Sequence, residues 1–506
     1  MKRAYCRFAA LLLAFYAAPL FLRVCVAQSN AAQAAATETS KLRAEQMRLT
    51  TKSETARAAF GQAVTLSGNY RLDECLRILR AAVSEDPNFA AGWSLLGFYA
   101  TDSRESTDAL SRAEKLVGKA SPSEMLFVHW VGSTKRNDQL GAISNLNDLV
   151  RRETGDKFIL YLAGHWFLDQ HNQQKAAPLF EKVLALDPQF TPALNRMGYA
   201  YAAAGDMPRA EELMQRYVAV MPDDPNPEDS YGDILFKAGR FEEARTHFEA
   251  ALKKDRSFGP SQHELGDVYA MLGNPDAARE AYQKSAVVAA NPRRSLEYRS
   301  SIALSYVRQN QLALADQEYA ALAAEAKHKN FSDLEAGFQE SMALYQPIDS
   351  EAVKHLDAAE AAVRNDTDLA TVTRDEHMAM IRRWRGVRAL HAGNPAMAEV
   401  CIHVLQQKYQ ETENEMIGNQ LHALNGAWLF ASHKYAEAAA ELEQVDSDGF
   451  ALEMLARAKR EAGDAAGADA ALRKLLAIHA STIDAVLVVE PARQKFSLAA
   501  TTSSKP

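Results

Sequence analysis

Apolar residues recur at helical spacing along most of the chain. Met197, Tyr201 and Ala204 form one stripe, and Ala210, Leu213 and Tyr217 form the next, with polar residues between them. Steps of three and four put such residues on one face of a helix with 3.6 residues per turn. The pattern therefore predicts a succession of short amphipathic helices, each with one buried stripe.

These helices come in pairs of fixed length. Gly164, Gly198, Gly232 and Gly266 are each 34 residues apart, and three further columns keep step with them. A turn column holds Gly205, Gly239 and Gly273, and a second-helix column holds Ala176, Ala210, Ala244 and Ala278. An aromatic column holds Phe180, Phe248 and Tyr282, with Met214 substituting. A period of this size marks a repeat architecture and overrides the three or four globular domains that 506 residues alone would suggest. The first glycine and the alanine are expected where the two helices of a pair cross, since small side chains permit close approach. The second glycine is expected to end the first helix in the left-handed conformation. Pro188 and Pro222 then punctuate the repeat boundaries.

Met197-Gly198-Tyr199-Ala200-Tyr201 with Gly205, Ala210 and Pro222 resembles the tetratricopeptide consensus. So does Leu265-Gly266-Asp267-Val268-Tyr269 with Gly273, Ala278 and Tyr282, and the likeness covers residues 157–290. It departs at His171 in the turn column and at Arg256 and Ala290, where proline is usual. The resemblance implies an all-α fold, a right-handed α-solenoid superhelix of helix-turn-helix repeats. Weaker register marks extend it outwards: Gly61 with Cys75 and Leu79, Pro87 with Gly97, and Trp130 with Ala142 on one side. On the other side stand Tyr306, Ala315 and Tyr319 after a three-residue insertion, then Gly386, Gly393 and Ala398, Gly426 with Ala438, and Gly463 with Ala468. About a dozen helix pairs are expected. The chain then divides into a signal peptide at 1–27, a linker at 28–50 leading into the first helix, and an N-terminal array at 51–327. Helices out of register follow at 328–378, a C-terminal array at 379–480, and a cap with a disordered tail at 481–506.

The N-terminus carries Lys2, Arg3 and Arg7, then an apolar run from Phe8 to Leu22, and Ala27 before Gln28. That order is a secretory signal, and the run falls short of the ~20 residues a spanning helix needs. Cleavage is expected after Ala27, leaving no transmembrane span in the mature chain. Acylation at Cys25 is disfavoured, because Leu22-Arg23-Val24 lacks the small residue such a site requires. Removing 1–27 takes Lys2, Arg3, Arg7 and Arg23 and no acid, so the formal charge moves from -8 to -12. An acidic exported protein without a basic stripe argues against nucleic-acid binding. Cys75 and Cys401, 326 positions apart, read as buried small hydrophobes rather than a disulfide.

Catalytic constellations are missing from the sequence. His263-Glu264 has Asp267 where a metal-binding helix would carry a second histidine, and no Cys/His cluster has zinc spacing. Gly92-Trp93-Ser94-Leu95-Leu96-Gly97 is one residue too long for a nucleophile elbow, and Gly118-Lys119-Ala120-Ser121 lacks the earlier glycine of a phosphate loop. No enzyme activity, cofactor or metal is expected. In tetratricopeptide proteins the first helices line a concave groove. The resemblance assigns to it Tyr161, His165 and Asp169, then Asn195 and Tyr199, then Asp229, Asp233 and Lys237, then His263 and Asp267. Four acids against one lysine disfavour a clamp for a C-terminal carboxylate and suit a basic or neutral extended protein segment. The alanine-rich signal favours a bacterial source. The expected role is a protein-binding scaffold of the bacterial cell envelope, periplasmic or associated with the outer membrane. The alternative is an accessory subunit of an exported-polymer synthesis or secretion apparatus.

Overall fold

A computed structural model describes residues 47–503 except 101, 137, 171 and 446–447. The expected signal peptide, residues 28–46 of the linker, His171 of the turn column and residues 504–506 of the tail lie outside the described residues. The described residues form two compact units, divided between Pro222 and Asp223. The described residues fold into helices and turns with no strand.

The N-terminal unit contains five antiparallel pairs: α1 (Glu54–Gly68) with α2 (Leu72–Glu85), α3 (Ala90–Tyr99) with α4 (Ser103–Leu116), α5 (Pro122–Lys135) with α6 (Gln139–Arg152), α7 (Lys157–Asp169) with α8 (Gln173–Leu186), and α9 (Thr191–Ala203) with α10 (Met207–Val220). The C-terminal unit contains seven: α11 (Asn226–Lys237) with α12 (Phe241–Lys254), α13 (Gly259–Met271) with α14 (Pro275–Val287), α15 (Pro292–Arg308) with α16 (Leu312–His328), α17 (Ser332–Tyr345) with α18 (Asp349–Asn365), α19 (Thr371–His391) with α20 (Pro395–Thr412), α21 (Glu415–Ala431) with α22 (Tyr435–Leu442), and α23 (Gly449–Glu461) with α24 (Ala465–Leu476). A π-helical turn, Ala485–Val489, leads into α25 (Glu490–Ser503). No described helix is long and apolar enough to cross a membrane.

The repeat columns are the packing contacts. Ala176, Ala210, Ala244 and Ala278 are all fully buried, as are the aromatic-column side chains. The first glycine faces that aromatic column, rather than the alanine expected to share its crossing. A side-chain carbon on Gly164, Gly198, Gly232 or Gly266 would lie 2.9, 2.6, 2.6 or 2.3 Å from Phe180, Met214, Phe248 or Tyr282, each 16 residues further on. The turn glycines Gly205, Gly239 and Gly273 have φ of 80, 76 and 76°, as do Gly393 and Gly463 at 72 and 83°. In four of these five turns the next residue caps the second helix. Asp206, Asn274, Asn394 and Asp464 accept a backbone N–H from the first turn of the helix that follows. Such a cap contributes about 1 kcal/mol, so each turn dipeptide both ends one helix and starts the next.

The two units treat their first-helix faces differently. In the N-terminal unit α1 packs across α7 and α9. Gly68 abuts Pro192 and the Tyr161 hydroxyl, Asn69 Nδ2 donates to Thr191 Oγ1 at 2.9 Å, and the Met47 N–H donates to Asp156 Oδ2 at 2.8 Å. In the C-terminal unit the segment after α24 runs back over other pairs. Val486 is buried with residues of α15–α17, and Val489 with residues of α21–α24. Arg308 pairs with Glu490 at 2.9 Å, and His479 packs edge-on against Phe241.

Gly266→Ala is expected to destabilise the protein by about 1–3 kcal/mol, because the added methyl must displace a buried tyrosine. Gly337→Ala, where nothing lies within 4 Å, should be neutral or stabilising by up to ~1 kcal/mol. Urea unfolding midpoints of the two variants read the difference.

Candidate partner-binding site

In the N-terminal unit, Tyr161, His165 and Asp169 follow one another at steps of four on α7. The helix starts at Asp156, whose carboxylate accepts the N–H groups of Phe158 and Ile159. Tyr161 is only 1% exposed, packed on Phe180 and Phe190, and burial pushes its hydroxyl up to about 12. Asn195, on α9, is also 1% exposed. These two expected groove positions are therefore covered, and α1 lying across this face is the reason. His165 and Tyr199 are half-buried, and Asp169 is exposed.

His165 has a defined proton arrangement. Arg196 Nη2 lies 2.9 Å from Nε2, and Asp169 Oδ2 lies 3.1 Å from Nδ1. A guanidinium only donates, so Nε2 is the acceptor and the ring proton sits on Nδ1, donated to Asp169. The imidazole bridges its two charged partners. Nothing in the repeat columns marks Arg196, which is why the sequence reading passed over it.

In the C-terminal unit, Asp229, Asp233 and Lys237 lie at steps of four on α11, and His263, Glu264 and Asp267 lie on α13. Lys237 Nζ donates to Asp233 Oδ2 at 2.7 Å. Ser261 donates to Asp229 Oδ1 at 2.6 Å. Asp267 is 6% exposed, and Tyr282 donates to its Oδ1 at 2.7 Å, so this expected groove residue is held inside the pair. His263 stacks on Tyr298 with centroids 4.9 Å apart, and its Nε2 is 2.9 Å from Ser301 Oγ. Asp229, Asp233, His263 and Glu264 keep partial exposure, and Lys237 is exposed.

Glu264 completes this group; the sequence reading weighed it only within a metal-binding motif and did not assign it to the groove. Burial, then the charges of Asp267, Asp233 and Asp229, hold its carboxyl well above the usual range, opposed by Lys237. Burial likewise pushes Asp229 up to about 7, with Asp233 adding to the rise and the Ser261 bond opposing it. Three other carboxyls thus act on Glu264, and Lys237, paired with Asp233, is the cation that opposes them. The His263 and Asp267 signal was visible as His-Glu-x-x-Asp, set aside for want of a second histidine; the ligating atoms of His263, Glu264 and Asp267 lie within 4.8 Å of one another. A crowded, partly dry set of acids favours either protons or an incoming cation.

The sign of the pH effect follows from Asp229. Its value in the fold, about 7, exceeds the ordinary 3.8, so the folded chain keeps a proton that the unfolded chain has lost between those values. Stability from this group is present at low pH and is lost as pH rises towards 7. Asp229→Asn cannot ionise and retains an acceptor for Ser261. It is expected to stabilise the protein by roughly 1–3 kcal/mol at pH 8 and to have little effect at pH 4, read by urea unfolding at both values.

The comparison with curated proteins finds no match. Among solved structures, the chain is similar to the crystal structure of MamA, with 21% identity and a TM-score of 0.27 over 33% of this chain and 95% of that one. It is also similar to the crystal structure of yeast Tom70, with 14% identity and a TM-score of 0.42 over 84% of this chain and 97% of that one. Two tetratricopeptide repeat profiles match the sequence itself, one at residues 167–228 and one at 226–286. Helix pairs, left-handed turn glycines and glycine-to-ring contacts coincide over that stretch, and residues 167–286 are tetratricopeptide repeats.

Proposed function

We propose that this chain is a non-catalytic scaffold of the bacterial cell envelope that holds an extended, basic or neutral segment of a partner protein on the first-helix face of its C-terminal unit. Tetratricopeptide repeats support a protein-binding role, and the N-terminal pattern of basic then apolar residues supports export. The observation that carries the reading is the acidic group in which Asp229, Asp233 and Asp267 act on Glu264 and only Lys237, paired with Asp233, opposes them. A lysine or arginine side chain entering this group offsets the mutual repulsion of the acids, and the stacked rings of His263 and Tyr298 give it an aromatic flank. The same crowding penalises an acidic segment, so it selects between partners as well as attracting one.

The test is affinity capture from envelope extracts of the source with residues 28–506, beside the triple variant Asp229→Asn, Asp233→Asn and Asp267→Asn. The captured segment is then titrated against both proteins. The triple variant is expected to bind at least tenfold more weakly, about 1.4 kcal/mol, and the wild type should weaken as salt rises. Equal affinities for the two proteins would place the contact away from this face.

A further inference from the structure

The N-terminal unit contains a cavity of about 50 Å³ where α1, α3, α5 and α7 meet. Its walls are aromatic: Phe98, Tyr99, Trp130, Tyr161 and Trp166 line it, and Asp169 stands at the exposed rim. A water needs roughly 10–15 Å³ of such space, so the cavity has room for a few waters or one small planar polar group.

One polar group in its walls is buried and unpartnered. Trp130 is 2% exposed, and its indole N–H has no hydrogen-bond partner, whereas the equally buried Tyr161 hydroxyl interacts with the Arg196 guanidinium. Buried polar groups in folded proteins are paired in the great majority of cases, so an orphan N–H on a small cavity calls for an occupant. The other hydroxyls nearby are already engaged, with Ser67 and Tyr99 bonded to each other at 2.9 Å. At the rim, one Asp169 oxygen accepts from His165, which leaves the other for a donor arriving from outside.

We propose that this cavity is a recognition pocket for one carboxamide side chain, asparagine or glutamine, of a bound protein segment. The inference rests on the partner-binding reading above but uses a different unit and different residues. An indole N–H only donates, so the Trp130 wall requires an acceptor oxygen, and an ammonium or guanidinium there would face a like-signed hydrogen. The rim carboxylate requires a donor, and a carboxylate ligand would face a like charge. A carboxamide presents the oxygen inward and its NH₂ outward, matching both ends. Its flat faces pack against the aromatic walls. Asp169, held in place by His165, sets the orientation.

The test uses full-length protein with ¹⁵N-labelled tryptophan and three isosteric probes: propionamide, propionate and propylammonium. The chain has five tryptophans, and Trp130→Phe identifies the indole signal that belongs to the cavity. Propionamide is expected to shift that signal saturably, at least tenfold more tightly than the charged probes, and Asp169→Ala is expected to weaken the effect severalfold while keeping the signal. An indole signal unmoved by propionamide, or moved equally by all three probes, would overturn the proposal. So would a signal whose only contact is persistent exchange with water, since water alone would then fill the space. None of these readouts depends on capture of a partner, so loss of one reading leaves the other standing.

Discussion

In four helix pairs a glycine lets the buried side chain 16 residues further on, a ring in three of them, lie against the first helix. At Gly266 a methyl group would meet Tyr282 at 2.3 Å, and the same clash recurs at each glycine of the 34-residue column. That contact limits the distance between the two helices, and the alanines of the second helices are fully buried. Close-packed interiors cannot absorb an extra carbon without moving, so the column tolerates little change. Stacking pairs of one geometry aligns the first helices, and that alignment creates the surface on which the functional residues stand.

What each unit does with that surface is decided by residues outside the columns. In the N-terminal unit, α1 lies across α7 and α9, so Tyr161 and Asn195 became core and the accessible polar chemistry shrank to His165, Asp169 and a small aromatic cavity. In the C-terminal unit, α11 and α13 keep their acids partly exposed. There the mutual repulsion of Asp229, Asp233, Glu264 and Asp267 is only partly relieved by Lys237, by hydrogen bonds from Ser261 and Tyr282, and by proton uptake. In the function proposed above, an acidic set carried on helices meets a partner's cation already ordered, which lowers the ordering cost of binding.

The helical class and the pairing were legible because the spacing of glycine, alanine and aromatic residues is a direct image of packing. The structure shows why the register weakened after Gly273: in two later pairs the left-handed turn position is taken by Asn310 and His433, at φ of 56 and 60°, so the glycine signal is missing there while the geometry stays, and Gly393 and Gly463 keep it in two others. Side-chain direction was harder to read. Counting along a helix places Tyr161 or Asp267 on the first-helix face, but burial depends on a helix about 100 residues away in one case and on a tyrosine hydroxyl in the other. Glu264 sits one residue from His263, outside the steps of four, and only its neighbours on α11 reveal it as part of the acidic group.

The account turns on the first-helix face of the C-terminal unit being the contact surface. Site-specific photo-crosslinking tests this most directly, with a photoreactive residue placed in turn at Lys237 on α11 and at Glu249 on α12, in the presence of the captured partner. The account predicts adducts from position 237 and none from 249. Adducts from 249 alone would put the partner on the second helices and contradict it.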